Sequence, residues 1–215
     1  HLFGIDEPLN AGTAERHYDT IAALLSQDNY RPRALFERFN IEVIATTDGA
    51  LDDLRWHKAI RDSGWQGRVV TAYRPDAVVD PDFEGFSANL DRLGEITGCD
   101  TGAWAGYLDA HRQRRAFFKS FGATSSDHGH PTAETANLSD AAAEELFNRV
   151  RRGSDDERER RLFRAQMLTE MAKMSRDDGL VLQIHPGSSR NHSRAIFQKF
   201  GRDKGFDVPT RTDYV

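Results

Sequence analysis

The sequence predicts an α/β protein built around a parallel sheet, and three observations carry that expectation. Short apolar, β-branched segments alternate with longer segments of helical periodicity, the order that builds right-handed β-α-β crossovers. Each apolar segment stops abruptly on polar or charged residues. The intervals 77–121 and 130–178 hold more helix than one crossover needs, so helical insertions on a barrel or a doubly wound sheet are expected.

Four segments read as strands because apolar and β-branched residues cluster and then end at polar ones. They are IEVIATTD (41–48), RVVTAYRPD (68–76), GATSSDHG (122–129), the least apolar, and GLVLQIHPG (179–187). The first helical pattern, residues 13–27, has Thr13 as its N-cap and Ile21, Leu24 and Leu25 on one face. A second covers 51–64, with Leu51, Leu54 and Ile60 repeating and Gly64 at its end. A third runs over 105–122 and stops at Gly122, and a fourth over 138–153 starts at Ser139. The last, 155–179, stacks Leu162, Phe163, Met167, Met171 and Met174. At that spacing the methionines read as core and not as a sulfur ligand set.

The chain has 215 residues, of which 29% are charged and 38% hydrophobic, enough for one substantial core or two small ones. The net charge of −5 and the scattering of bases among acids exclude the basic face that nucleic-acid binding needs. The arginine-rich run 149–164 is interleaved with acids at helical spacing and reads as a solvated helix face. No apolar stretch approaches the length of a membrane span, so no membrane partner is expected. Cys99 is alone, which removes any intrachain disulfide and points to a reducing, cytoplasmic setting. The chain opens on His1 without a methionine, and is expected to be a piece of a longer polypeptide.

In parallel α/β folds the C-terminal strand ends converge on one face, where ligands bind. Here those ends supply Thr46, Thr47 and Asp48; Tyr73, Arg74 and Asp76; Ser126, Asp127 and His128; and His185 with Arg190. Asp48 can face the site or cap the helix near Leu51, and the sequence leaves both open. Arg74 is held extended by Pro75, and its planar guanidinium is expected to grip an anion in preference to a structural acid such as Asp76. His128-x-His130 has the form of a metal pair, but Gly129 and Pro131 end the strand there. Asp127 and His128 are therefore expected as polar groups of the site, and no residue is assigned as a metal ligand. His57 and His111 lie on charged helical segments and are expected to be solvated.

Four stretches, taken jointly and in order, carry a resemblance: FNIEVIATTDGALDDLRWH (39–57), YRPD (73–76), RRAFFKSFGATSSDHG (114–129) and LQIHPGSSRNHSRAIFQKFGRDKGFD (182–207). Over nearly the whole chain they resemble uronate (glucuronate) isomerase, a family of the amidohydrolase superfamily. The resemblance implies that residues 1–215 form part of a (β/α)8 barrel of the metallo-dependent-hydrolase type, with helical insertions around 77–121 and 130–178. It implies interconversion of D-glucuronate with D-fructuronate, or of D-galacturonate with D-tagaturonate. His185, Asp127 and His128 would be catalytic, and Arg74 and Arg190 would bind the substrate, one or the other receiving its carboxylate.

Departures from the family pattern are specific. Gly49 stands where a second Asp is usual after TTD, and HPGS (185–188) where His-Ile-Gly-Ala is usual. Pro186 removes a backbone donor beside His185. Such enzymes typically hold one divalent metal, often zinc, with ligands from the first and last barrel strands. Neither strand is represented here, so the metal is expected in the full-length protein, with ligands mostly outside this chain. The open sheet edges would need the rest of the barrel or a homo-oligomeric partner to cover them. The isolated 215-residue chain is expected to be inactive. A truncated, non-catalytic homologue acting as a binding or structural subunit is the alternative. A hydrolase on the same barrel is disfavoured, because none of the four strand ends carries a lysine.

Overall fold

The computed structural model describes residues 2–202, 204–205 and 207–214. The chain divides into two compact units, His1–Ile44 with Ile60–Val69, and Ala45–Ala59 with Val70–Val215.

In the first unit, helix α1 (Ala14–Leu25) is followed by a 3-10 turn (Asp28–Tyr30) and by α2 (Pro32–Arg38), which begins with proline at its first position. Thr13 occupies the N-cap position of α1 but does not cap it. Its hydroxyl accepts from Asn10 N (2.8 Å) and donates to Pro8 O (2.9 Å). Trp65 meets Phe36 edge-on at 4.9 Å, and its indole N–H donates to Glu37 at 3.0 Å. The helix α2 had no periodic signal of its own.

Four strands form one sheet in the order β1-β2-β3-β4: β1 (Val43–Gly49), β2 (Arg68–Arg74), β3 (Ser125–His128) and β4 (Val181–Ile184). β3 runs parallel to both β2 and β4. β2, β3 and β4 lie inside the segments the sequence predicts, and β1 starts two residues later than predicted and runs one residue further, to Gly49. A short antiparallel pair, β5 (Ser188–Ser189) with β6 (Val208–Pro209), folds the stretch after His185 into a hairpin.

Helix α3 (Arg55–Asp62) starts later than residue 51, because Leu54 adopts a positive φ of 53°. The side chains of Asp52 and Asp53 take the amide protons of Leu54 (2.7 Å) and Arg55 (3.0 Å). Asp48 caps nothing. Instead its Oδ2 accepts the hydroxyls of Thr46 and Thr71, both at 2.6 Å, beside His57 at 3.6 Å. His57 is thus packed against the end of β1 and not solvated, as the charged helix had implied.

The second unit's helices are α4 (Asp76–Val79), α5 (Phe86–Thr97), α6 (Trp104–Ser120), α7 (Asp140–Arg151), α8 (Glu157–Asp178) and α9 (Arg194–Phe200). α4 to α6 fall in the interval 77–121 and α7 to α8 in 130–178. Ser139 caps α7 by accepting from Ala142 N, as the sequence predicts, and Asp156 caps α8 by accepting from Arg158 N. Gly179 closes α8 in the left-handed region at φ 79°. Tyr107, Phe147 and Phe163 stack on one another at the centre of these helices, with Met167, Met171 and Met174 buried beside them. Leu162, expected in that row, is 40% exposed.

Two polar groups lie where periodicity alone would place apolar ones. Arg115 on α6 is fully buried, and its guanidinium holds both carboxylate oxygens of Asp178 at 2.5 and 2.9 Å. Burial alone would raise the Asp178 carboxyl, but the Arg115 hydrogen bonds, the Leu180 amide and the charges of Arg115 and Lys119 together outweigh it and hold the group below the usual range. His111, expected in solvent, is also fully buried and shares a 2.7 Å hydrogen bond with Tyr73 Oη. Tyr107 lies three positions after Trp104 and His111 four positions after Tyr107, so His111 shares their core-facing stripe despite its charged neighbours.

Desolvation, helped by the nearby positive charge of Arg115 and Arg112, lowers His111 from 6.5 to about 3. An unfolded chain binds a proton at this histidine below pH ~6.5 while the native chain does not. Stability contributed by neutral His111 is therefore full above that pH and is lost as pH falls toward 3. Denaturant unfolding of the protein should show stability falling by up to about 1.4 kcal/mol per pH unit from this group alone. The variant His111→Gln, which keeps a partner for Tyr73 but cannot titrate, should show a visibly flatter profile between pH 6 and 4.

Candidate functional site

Side chains alternate between the two faces of a strand. In β3, Ser126 and His128 are buried, while Ser125 and Asp127 belong to the other face. Asp127 is registered against Gln183 and His128 against Ile184, so His185, one residue beyond β4, falls on Asp127's face. Asp127 joins the ends of three strands. Its Oδ1 lies 3.0 Å from His185 Nε2, and its Oδ2 lies 3.4 Å from Arg74 Nη1.

Arg74 is held from a second side. Its Nε donates to Asp76 Oδ2 at 2.7 Å, while Asp76 Oδ1 accepts the amide of Gly129 at 3.0 Å. The structural pairing with Asp76 therefore exists, together with the strand-mouth position. A Cβ at Gly129 would stand 2.5 Å from Asp76 Oδ2 and 2.6 Å from Arg74 Nη2, so glycine is what lets this pair approach the backbone.

These groups open on a cavity of about 760 Å³, whose wall includes Arg74, Asp76, His130, His185 and Arg190. That volume is ordinary for a small-molecule site. His185 is 41% exposed at its side chain. Arg190 reaches the cavity from the hairpin loop and pairs with Asp207 at 3.3 Å, while Asp207 also accepts the Asn191 amide at 2.9 Å. Of the five residues expected in the site, Asp127, His185 and Arg74 form one connected cluster and Arg190 lines the same cavity. His128 stands apart on the helix-facing side of the sheet. Desolvation first, then the neighbouring His130 and Arg115, hold it well below the usual histidine range, so it is neutral. Its Nε2 is 3.0 Å from Ser126 Oγ, and its carbonyl accepts the His185 amide at 3.3 Å.

His130 follows two residues later, its ring 5.6 Å from that of His128, and it too is buried and held below its usual range by desolvation. Among the described residues, no group of three His, Cys, Asp or Glu side chains is arranged to hold a metal ion. The guanidinium of Arg74 beside Asp127 also opposes a cation there. The donors present thus do not fit a complete metal site. Nor, among those residues, is any helix long and apolar enough to cross a membrane. Sequence reasoning missed Gly129 and Arg202 as parts of this wall, and Asp207 as the partner of Arg190. Their roles depend on which loops meet, and no local pattern announces that.

The sequence profile of glucuronate isomerase matches residues 1–214. The chain belongs to the glucuronate isomerase family. It is similar to a uronate isomerase of Mesorhizobium japonicum, 88% identical over 215 residues, all of this chain and 46% of that protein. A uronate isomerase of Rhizobium meliloti is 72% identical over 214 residues, again all of this chain and 46% of the relative. The chain thus spans slightly under half the length of these relatives. Among solved structures, a glucuronate isomerase from Caulobacter crescentus superposes with a TM-score of 0.96 at 56% identity, covering all of this chain and 45% of that one. A uronate isomerase from Thermotoga maritima shares the fold, with a TM-score of 0.90 at 24% identity. The parallel strands with their helices are compatible with part of a barrel.

Gly129 supplies a direct test of how the Arg74–Asp76 pair is held. Gly129→Ala should change stability by less than about 1 kcal/mol, because only flexible side-chain ends must yield. A crystal structure of the variant should nonetheless show the Arg74 guanidinium displaced from Asp127.

Proposed function

We propose that the full-length protein is an aldose–ketose isomerase of hexuronates, interconverting D-glucuronate with D-fructuronate or D-galacturonate with D-tagaturonate. The observation that carries this reading is the bridge from Asp127 to both His185 and Arg74 at the strand ends of a family member.

Isomerisation moves a proton between C2 and C1 while the carbonyl changes place, and needs a proton-holding group, stabilisation of the enediolate and a fixed anchor. Asp127 Oδ1, 3.0 Å from His185 Nε2, favours the tautomer that carries its proton on Nε2 and leaves Nδ1 as the acceptor. His185 Nδ1 is then the atom that takes and returns the proton, and Asp127 stabilises the imidazolium while it exists. Arg74, beside this pair, and Arg190, in the same cavity wall, supply positive charge for an anionic sugar. His128 faces away from the cavity, so its catalytic part is indirect: its carbonyl holds the His185 backbone in register.

A single divalent metal, zinc, is the cofactor the family resemblance implies. Its ligands would lie in the remainder of the full-length protein, and no step above runs through it. The same remainder, in preference to a second copy, is proposed to cover the open edges of the sheet, since the relatives are about twice as long. A cytoplasmic location is proposed from the lone free Cys99.

Incubation of the full-length protein with glucuronate, followed by proton NMR, should show fructuronate accumulating to equilibrium. His185→Gln should lower kcat about 10²- to 10⁴-fold with a smaller effect on KM. No ketose from either glucuronate or galacturonate, with zinc restored, would overturn the reading.

A further inference from the structure

A third arginine lines the cavity. Arg202 follows α9 and lies over the ring of Phe83, with the guanidinium carbon 4.2 Å from the ring centroid. Gly201 places it there. That residue ends α9 at φ 80°, ψ −163°, a combination essentially restricted to glycine, and so reverses the chain toward Phe83.

The carboxylates around the cavity are already committed. Asp76 and Asp127 hold Arg74, and Asp127 also holds His185. Asp80 pairs with Arg164, Asp82 with Arg160 and Arg164, and Asp207 with Arg190. Arg74 and Arg190 therefore approach a ligand with their charge largely compensated. Among the described residues, Arg202 makes no ion pair, and its one contact is the face of Phe83. Stacking of this kind holds a guanidinium in place while leaving its N–H edge unspent.

We propose that Arg202, steadied by Phe83, is the residue that receives the substrate's carboxylate, and that Arg74 and Arg190 shape the cavity around it. The inference rests on the hexuronate reading above and deepens it. An exposed carboxylate has two acceptor oxygens that match the guanidinium fork, and no other cation on this wall has its fork unoccupied. Binding the acid end at Arg202 leaves the aldehyde end of the sugar to the His185–Asp127 side of the same cavity.

The test uses the full-length enzyme and steady-state kinetics with glucuronate. Arg202→Gln should raise KM about 10- to 100-fold with the loss falling mainly on KM and not on kcat. Arg202→Lys should recover part of it, since a point charge remains. Phe83→Leu, which leaves the charge but removes its support, should give an intermediate rise. Competitive inhibition by a neutral hexose, which has no carboxylate, should be unchanged by Arg202→Gln. An unchanged KM for Arg202→Gln in an enzyme that turns over glucuronate would overturn the proposal while leaving the isomerase reading intact. So would a loss confined to kcat, or equal weakening of the neutral hexose. If the wild type turns over no uronate, calorimetric binding of glucuronate decides separately: weaker binding by Arg202→Gln supports the carboxylate site, and equal or absent binding overturns it.

Discussion

The site depends on one carboxylate with a partner on each oxygen. Asp127 sits at the end of β3, between His185 beyond β4 and Arg74 at the end of β2. Neither contact is possible without the parallel register that aligns the three strand ends. The register in turn rests on a helical layer whose core is aromatic and methionine-rich, with Arg115 tied to Asp178 and His111 tied to Tyr73 within it. Tyr73 is the residue before Arg74, so the packing of α6 on β2 sets where the guanidinium emerges. A buried hydrogen bond and the cavity wall are thus coupled through one peptide.

Charge compensation is the second organising constraint. A cavity ringed by arginines would repel itself if its acids were elsewhere, and here two of the three arginines in the described wall meet a carboxylate within 3.4 Å. The exception, Arg202, is stacked on an aromatic ring. A wall built this way offers a local surplus of positive charge, not a strongly positive field.

The fold was legible in the sequence wherever periodicity and strand-ending chemistry agreed. The four strands, the methionine core and the Ser139 cap are examples. It was less legible where a polar residue serves the interior. His111 stands among Arg112, Gln113 and Arg114, so local composition says solvent, while its place on the helix says core. Asp48 could be read as a cap because Leu51 follows, yet Leu54 turns left-handed and hands the capping to Asp52 and Asp53. In the site, strand ends named Arg74, Asp127, His185 and Arg190, but adjacent residues on a strand face opposite ways, which separates Asp127 from His128. Arg202 was invisible, because only the meeting of two distant loops gives it Phe83.

The central claim is that Asp127 and His185 act as one unit. A double-mutant cycle on kcat/KM in the full-length enzyme, combining Asp127→Asn with His185→Gln, measures that directly. The account predicts strong non-additivity: the double variant should be little worse than His185→Gln alone, a coupling of at least about 1 kcal/mol. Additive losses, with the double variant worse by the full product of the two single effects, would contradict it.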